Sequence, residues 1–241
     1  MFRHQGKTRT HKHNQQIAIV LSFVAGIVNV SGFLAIQQFT TNVTGHFALF
    51  MYDVANFDFW KGSVYFLYIF SFLFGSFTSS FLIEKFRENK KLNIYTIPTF
   101  IEVFLLLIVA LSTHYKLVVN INLIACILLF AMGLQNSFVS KISKAVVRTT
   151  HLTGLFTDLG IELSQIFFLK TNPERAKLKR DIKLHFFIIW FFFLGGISGG
   201  ILYSYYDMKL NSLIIAAILL LFSLFYDDFR FRFIKAKRKF M

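Results

Sequence analysis

Six long hydrophobic stretches alternate with short polar segments along the chain, and this pattern governs the interpretation of the sequence. The stretches cover residues 17–36, 64–83, 94–112, 121–140, 186–206 and 210–226, and a single charged side chain, Glu102, interrupts them. About 20 apolar residues cross the ~30 Å hydrocarbon layer of a bilayer as a helix. The pattern therefore predicts an all-α, polytopic membrane protein with six transmembrane helices.

Two further apolar stretches, residues 45–60 and 154–169, raise the alternative of eight spans. A crossing by the first would move the basic segment 84–92 to the opposite side from the other basic segments. It would also place Asp53 and Asp58 in lipid, at a few kcal/mol each. We therefore interpret both stretches as interfacial or re-entrant helices.

The distribution of positive charge predicts the orientation. The net charge is +14, and 23 of the 26 Lys and Arg residues fall in segments 1–16, 84–92, 140–148, 170–184 and 227–241. Cytoplasmic segments are enriched in Lys and Arg. We therefore expect a protein of the cytoplasmic (inner) membrane whose two termini, the basic tails 1–16 and 227–241, both lie in the cytoplasm. These segments would attract anionic lipids, and no nucleic-acid partner is expected.

Three sequence features recur in the same order in both halves of the chain. "GIVN" (26–29) corresponds to "GLQN" (133–136), "TTNVTGHF" (40–47) to "TTHLTGLF" (149–156), and "FGSFTSSFL" (74–82) to "LGGISGGIL" (194–202). Each unit contains three predicted spans, helices 1–3 in residues 17–112 and helices 4–6 in residues 113–226. Because three is odd, the second unit would enter the membrane from the opposite side, which predicts two inverted-topology repeats.

The Thr-Thr-x-x-Thr-Gly motif suits the start of a helix better than its interior. Threonine hydroxyls can accept from the free N–H groups of a first turn, and such a terminus attracts anions or dipoles. The alternative is a buried turn capped by its own threonines. The candidate substrate-binding residues are Asn29, Thr40, Thr41, Asn42, Thr44, Gly45, Asn136, Thr149, Thr150, His151, Thr153 and Gly154.

The amides and small residues of the repeats have structural interpretations as well. Asn29 and Asn136 could bond across helices or contact a solute. The small residues Gly75, Ser79, Gly195, Gly196, Gly199 and Gly200 allow close helix packing. We expect the second and fifth helices to pack against each other through them.

Ionisable residues at membrane depth are candidates for a proton or ion relay. They are Glu102, Asp158 and Glu162, and the histidines His46 and His151 lie beside the motifs. The alternative for all of them is an interfacial position in contact with water. Arg148 is interpreted as one more inside-positive charge rather than as a partner of a substrate.

Sequence signatures of catalysis are missing, so no enzyme activity and no cofactor are expected. A metal site is not expected either, and the single cysteine, Cys126, excludes an intramolecular disulfide.

The motifs "AGIVNVSGF" (25–33), "FTTNVTGHF" (39–47), "AMGLQN" (131–136) and "TTHLTG" (149–154) resemble the YoaK-type family of bacterial integral membrane proteins, whose function is unknown. The resemblance covers the six helices and implies a location in the cytoplasmic membrane. Family members usually have Asp where this chain has Asn29, and Asn where it has His46. If that Asp holds a proton or cation in relatives, this chain lacks the step.

Two functional hypotheses follow. The first is a small-solute transporter or channel, with a polar site formed by the paired Thr-Gly half-helices. The second is a non-transporting membrane scaffold or lipid-interacting assembly factor. A homo-oligomer is compatible with both.

Overall fold

The computed structural model describes residues 10–87, 94–115, 120–168 and 172–239, and the regular secondary structure in these ranges is helical. In chain order the α-helices are α1 (His11–Ile36), α2 (Val43–Ala55), α3 (Phe59–Lys85), α4 (Thr96–His114), α5 (Ile121–Ser143), α6 (Leu152–Gln165), α7 (Asn172–Ser204) and α8 (Ser212–Lys239). A 3₁₀ turn, Lys209–Asn211, precedes α8.

Five of these helices are long and apolar enough to cross a membrane, namely α1, α3, α5, α7 and the stretch Lys209–Tyr226 that begins α8. The apolar part of α4, Thr96–Ser112, is shorter. The chain is a polytopic helical membrane protein, as the hydrophobic pattern predicts.

The helices extend into the basic segments that the sequence suggested were loops or tails. α7 begins at Asn172, α1 at His11, and α8 continues to Lys239. The predicted tail 227–241 is therefore helical in its described part, because the basic residues there are good helix formers. Residues 1–9 of the other predicted tail, and residues 88–92 of the basic segment 84–92, lie outside the described residues.

The closest helix packing joins α1 to α7 and α3 to α5. A Cβ atom on Gly75 would overlap the carbonyl oxygen of Phe130, and one on Gly195 would overlap that of Phe23. Conversely, Gly26 and Gly133 leave no room for a Cβ beside the backbone of α7 and α3. Because glycine has no Cβ, the backbones of the paired helices are in direct contact at these four positions.

The predicted packing of the second and fifth helices against each other, α3 on α7, is wrong. Within the described residues these two helices share no contact, and each packs on the first helix of the other half. A small residue allows close approach but does not select the partner. A Cβ atom on Gly196 or Gly200 would meet the side chain of Val30 on α1, and one on Gly199 would meet the backbone of Ile27.

The remaining two long helices lie together at one side of the bundle. α4 packs on α8 and on α5, and α8 packs on α1. The hydroxyl of Ser212, at the start of α8, donates to that of Ser31 near the end of α1, at 2.8 Å. Both serines are fully buried, so this bond joins the first and last long helices inside the protein.

Candidate functional site

The first Thr-Gly motif follows a reversal of the chain at the end of α1. Gln37 is in the left-handed conformation (φ 54°) and its N–H donates to Phe33, which ends the helix and redirects the chain. Thr40 then donates to the carbonyl oxygen of Val28 at 3.2 Å, and Thr41 donates to Oδ1 of Asn29 at 2.8 Å. Because Val28 and Asn29 lie two turns before the end of α1, the segment 37–42 runs back beside that helix.

The second motif makes the corresponding reversal after α5. Lys144 is left-handed (φ 56°) at the end of the helix. Thr150 donates to Oδ1 of Asn136 at 2.9 Å, matching the bond of Thr41. Nε2 of Gln135 donates to the hydroxyl of Thr149 and also to the carbonyl oxygen of Leu21 on α1. The motif is thus tied to its own first helix and, through Gln135, to the other half of the chain.

The predicted capping role of the threonines is wrong. The cap of α2 is Asn42, whose Oδ1 accepts from the N–H of Gly45 at 3.0 Å, and α6 begins after His151 without a side-chain cap. Thr40 and Thr149 come too early in the chain to reach the first turn. The threonine pairs fasten the returning segment to α1 and α5 instead.

The two short helices, α2 and α6, run back toward the end of the bundle at which the chain reversed after α1 and α5. His46 in the first turn of α2 contacts Tyr68 within α3, while Gly62 near the start of α3 lies beside Val54 near the end of α2. The two helices therefore form an antiparallel hairpin. α6 pairs similarly with α7, where Glu162 contacts His185 at 2.9 Å.

A cavity of about 880 Å³ lies between the starts of α2 and α6. Both motifs contribute to its lining, together with α3, α5 and α7. The lining residues are Asn29, Phe39, Thr41, Asn42, Val43, Thr44, Gly45, Ala48, Phe72, Asn136, Ser140, Arg148, Thr150, His151, Leu152, Thr153 and Phe192.

Most of the predicted binding residues are therefore brought together. Three of them do not line the cavity. Thr40 and Thr149 are fully buried within the returning segments, and Gly154 lies beneath the His151 ring, where a Cβ atom would meet Nδ1. The relay candidates are also separate from the cavity. Asp158 is exposed, Glu162 is bonded to His185, and Glu102 is buried in α4.

Several lining residues were missed by the sequence analysis. Phe72 and Phe192 each lie three residues before the glycine of the small-residue motif, so an alignment of that motif identifies them as a pair. Phe39 and Arg148 each come directly before the Thr-Thr pair. Arg148, interpreted as a topological charge, lines the cavity.

The charge of the lining is positive. Among the described residues around the cavity, Arg148 is the one with a permanent charge, and no carboxylate accompanies it. Arg148 makes no hydrogen bond or ion pair with the described part of the chain. The first turns of α2 and α6 add unpaired backbone N–H groups and the partial positive charge of a helix N-terminus. The hydroxyls of Thr44 and Thr153 lie there without a partner among the described residues.

His46 stabilises the start of α2. Its Nε2–H donates to the carbonyl oxygen of Phe39 at 2.7 Å, and its ring stacks on Tyr65 and meets Tyr68 edge-on. The hydroxyl of Tyr68 in turn donates to Asn122 at 2.6 Å. His46 is fully buried and does not line the cavity, so its role there is to position α2. In the described residues no cluster of three His, Cys, Asp or Glu side chains could hold a metal.

Comparison with known proteins places this arrangement in a family. Residues 17–226 match the family described as "Protein of unknown function (DUF1275)". The chain belongs to the DUF1275 family. The matched range includes all eight described helices except residues 11–16 of α1 and 227–239 of α8. Both motifs and the cavity therefore belong to the family region.

One curated relative is the "UPF0700 transmembrane protein YoaK" of Bacillus subtilis (strain 168). It is 24% identical over 185 residues, which cover 74% of this chain and 79% of the relative. The predicted resemblance to the YoaK-type family is therefore confirmed, and the relative is, like this chain, a transmembrane protein. No solved structure matches the chain.

Proposed function

We propose that this DUF1275 protein is a small-solute transporter or channel, and that the cavity between α2 and α6 is its solute site. The observation that carries the proposal is the composition of the lining. Asn29 and Asn136, Thr44 and Thr153, and Phe72 and Phe192 are corresponding residues of the two halves, and all six line one cavity of about 880 Å³.

We further propose six spans in two inverted repeats, with α2 and α6 re-entrant. With 13 and 14 residues, these helices are about 20 Å long and too short to cross a ~30 Å layer. The contacts support a two-fold repeat, since α1 on α7 corresponds to α3 on α5, and α4 on α5 corresponds to α8 on α1. Three spans in each unit make that repeat inverted. Both termini are then cytoplasmic, from the distribution of basic residues.

Broken helices at the centre of inverted repeats are a recurring way to build a solute site. Irregular backbone is tolerated at membrane depth where protein or a cavity covers it. Here the irregular segments 37–42 and 144–151 are held by the threonine bonds and border the cavity.

The chemistry of the lining favours a solute with an anionic or hydrogen-bond-accepting group. Two helix N-termini, the Thr44 and Thr153 hydroxyls and the Arg148 guanidinium all offer donors or positive charge. Arg148 is a natural partner for a carboxylate or phosphate, because its fork of N–H groups matches two oxygens. The apolar rings of Phe72 and Phe192 can contact the carbon skeleton of a small organic solute.

Uptake by liposomes that contain the purified full chain tests the proposal. Radiolabelled phosphate, succinate and mannitol serve as two anions and a neutral control. Thr44→Val/Thr153→Val removes two donors worth about 1 kcal/mol each, so we expect uptake to fall about tenfold or more.

The matched control is Thr78→Val/Thr157→Val. These hydroxyls donate to their own helix, to Phe74 and Thr153, and do not line the cavity. Uptake equal in both double variants, or no uptake of any solute by the wild type, would contradict the transport function. The scaffold alternative predicts instead that removal of residues 227–241 abolishes function in cells while both threonine variants remain active.

A further inference from the structure

Glu102 lies apart from the cavity, so the solute site does not explain the position of this carboxyl group. This side chain lies in the second turn of α4, is fully buried, and does not line the solute site. Neither Oε1 nor Oε2 has a hydrogen-bond partner among the residues that the structure describes. The nearest hydroxyl along the helix, that of Thr99, donates to the carbonyl oxygen of Tyr95 at 2.8 Å and so does not serve the carboxyl group.

In their described side chains, the elements packed against α4 provide no cation for Glu102. They are α8, α5, the 3₁₀ turn and α3. Their described titratable side chains are Lys61, Tyr65, Tyr68, Glu84, Lys85, Cys126, Lys141, Lys209 and Tyr226. None of these is bonded to Glu102: Lys141 pairs with Glu84, Lys209 with Asp207, and Lys61 with Asp58.

A carboxylate anion without a partner is disfavoured far more strongly in such surroundings than the neutral acid. The packing of α4 on α5 and α8 therefore accommodates Glu102 in its protonated form. The other relay candidates differ in this respect, because Asp158 is exposed and Glu162 is bonded to His185. Glu102 alone among the three is isolated from both water and partners.

We infer that Glu102 is a proton-binding site that is loaded in this conformation, and that its proton is the one cotransported with the solute. Release requires α4 to separate enough from α5 and α8 for water to reach the carboxyl group. The O–H bond then breaks, the electron pair stays on the carboxylate, and the proton passes to water as hydronium. Loading from the other side of the membrane is the reverse step. The coupling rests on the proposed transport function, whereas the proton binding does not.

Infrared spectroscopy of the full chain in liposomes tests proton binding without any solute. The wild type at neutral pH is expected to show the carbonyl stretch of a protonated carboxyl group. Glu102→Gln, which is nearly isosteric, should remove this band, and the control Glu162→Gln should retain it. A band that survives in Glu102→Gln, or is absent from the wild type, overturns the assignment. Glu102→Leu replaces the glutamine variant if the latter does not fold.

Uptake of phosphate and succinate under a pH gradient tests the coupling. With the membrane potential clamped, a gradient of about two pH units corresponds to about hundredfold accumulation at one proton per solute, because each unit is a factor of ten. We expect the wild type to accumulate solute in response, and Glu102→Gln to lose this response while it still exchanges labelled for unlabelled solute. A response retained by the variant, or absent from an active wild type, overturns the coupling alone. If no solute moves, the transport function and the coupling fail together, while the infrared result still decides whether Glu102 holds a proton.

Discussion

Replacing Gly75 or Gly195 by alanine is expected to destabilise the protein, and the reason lies in the helix separations. The added methyl group of Gly75→Ala would overlap the carbonyl oxygen of Phe130, and that of Gly195→Ala would overlap the carbonyl oxygen of Phe23. Backbone atoms cannot rotate away as a flexible side chain can, so the two helices must move apart. Overpacking of this kind costs about 1–3 kcal/mol.

Gly160→Ala provides the matched control for this experiment. Apart from its chain neighbours and the backbone of its own helix, no described heavy atom lies within 4 Å of the position that a Cβ would take on Gly160. Alanine there removes the cost of a helical glycine, about 1 kcal/mol, and the variant should be as stable as the wild type or more stable. Gly75 and Gly195 are helical as well and gain the same amount. The two sets of variants should therefore differ by the overpacking cost alone, about 1–3 kcal/mol in the free energy of unfolding.

Reversible unfolding in mixed detergent micelles, followed by circular dichroism, measures these differences. Both buried-glycine variants should unfold at a lower fraction of denaturing detergent than Gly160→Ala. If Gly75→Ala and Gly195→Ala match the control, the close packing of α3 on α5 and of α1 on α7 is wrong.

Two other perturbations test the contacts that fasten the chain around the cavity. Thr41→Val removes the 2.8 Å bond to Asn29 and should lower the free energy of unfolding by about 1 kcal/mol. An unchanged free energy of unfolding would contradict the position of the returning segment on α1. Ser31→Cys/Ser212→Cys should form an intramolecular disulfide in a Cys126→Ser background, because the two hydroxyl oxygens are 2.8 Å apart and a disulfide needs touching side chains. Faster migration of the oxidised chain in denaturing gels reports the disulfide, and its absence would contradict the packing of α8 on α1.

The sequence predicted the helical membrane class well because its signal is local. A run of about 20 apolar residues indicates a span whatever it packs against, and the family resemblance came from contiguous motifs such as "TTHLTG" (149–154). The starts of α2 and α6 were also near the predicted positions, because Thr and Gly disfavour a helix interior.

The tertiary roles of individual residues were less accessible from the sequence. Gly75 indicated a close approach but not that Phe130 would be the neighbour. The threonines of the motif were expected to cap a helix, yet the hydroxyl of Thr41 bonds back to Asn29 because the chain reverses at Gln37. Arg148 appeared as part of a basic segment, and its position beside the cavity depends on the same kind of reversal after α5.

The central claim is that the two half-helix starts border one solute site, and cysteine modification during uptake tests it most directly. Thr44→Cys and Thr153→Cys are made separately in a Cys126→Ser background, reconstituted, and treated with a membrane-impermeant thiol reagent loaded on both sides. We expect modification at either position to stop the uptake of phosphate or succinate, and an excess of that solute to slow the modification. Uptake that continues unchanged after both positions are modified, or cysteines that react only after unfolding, would contradict a shared solute site in this cavity.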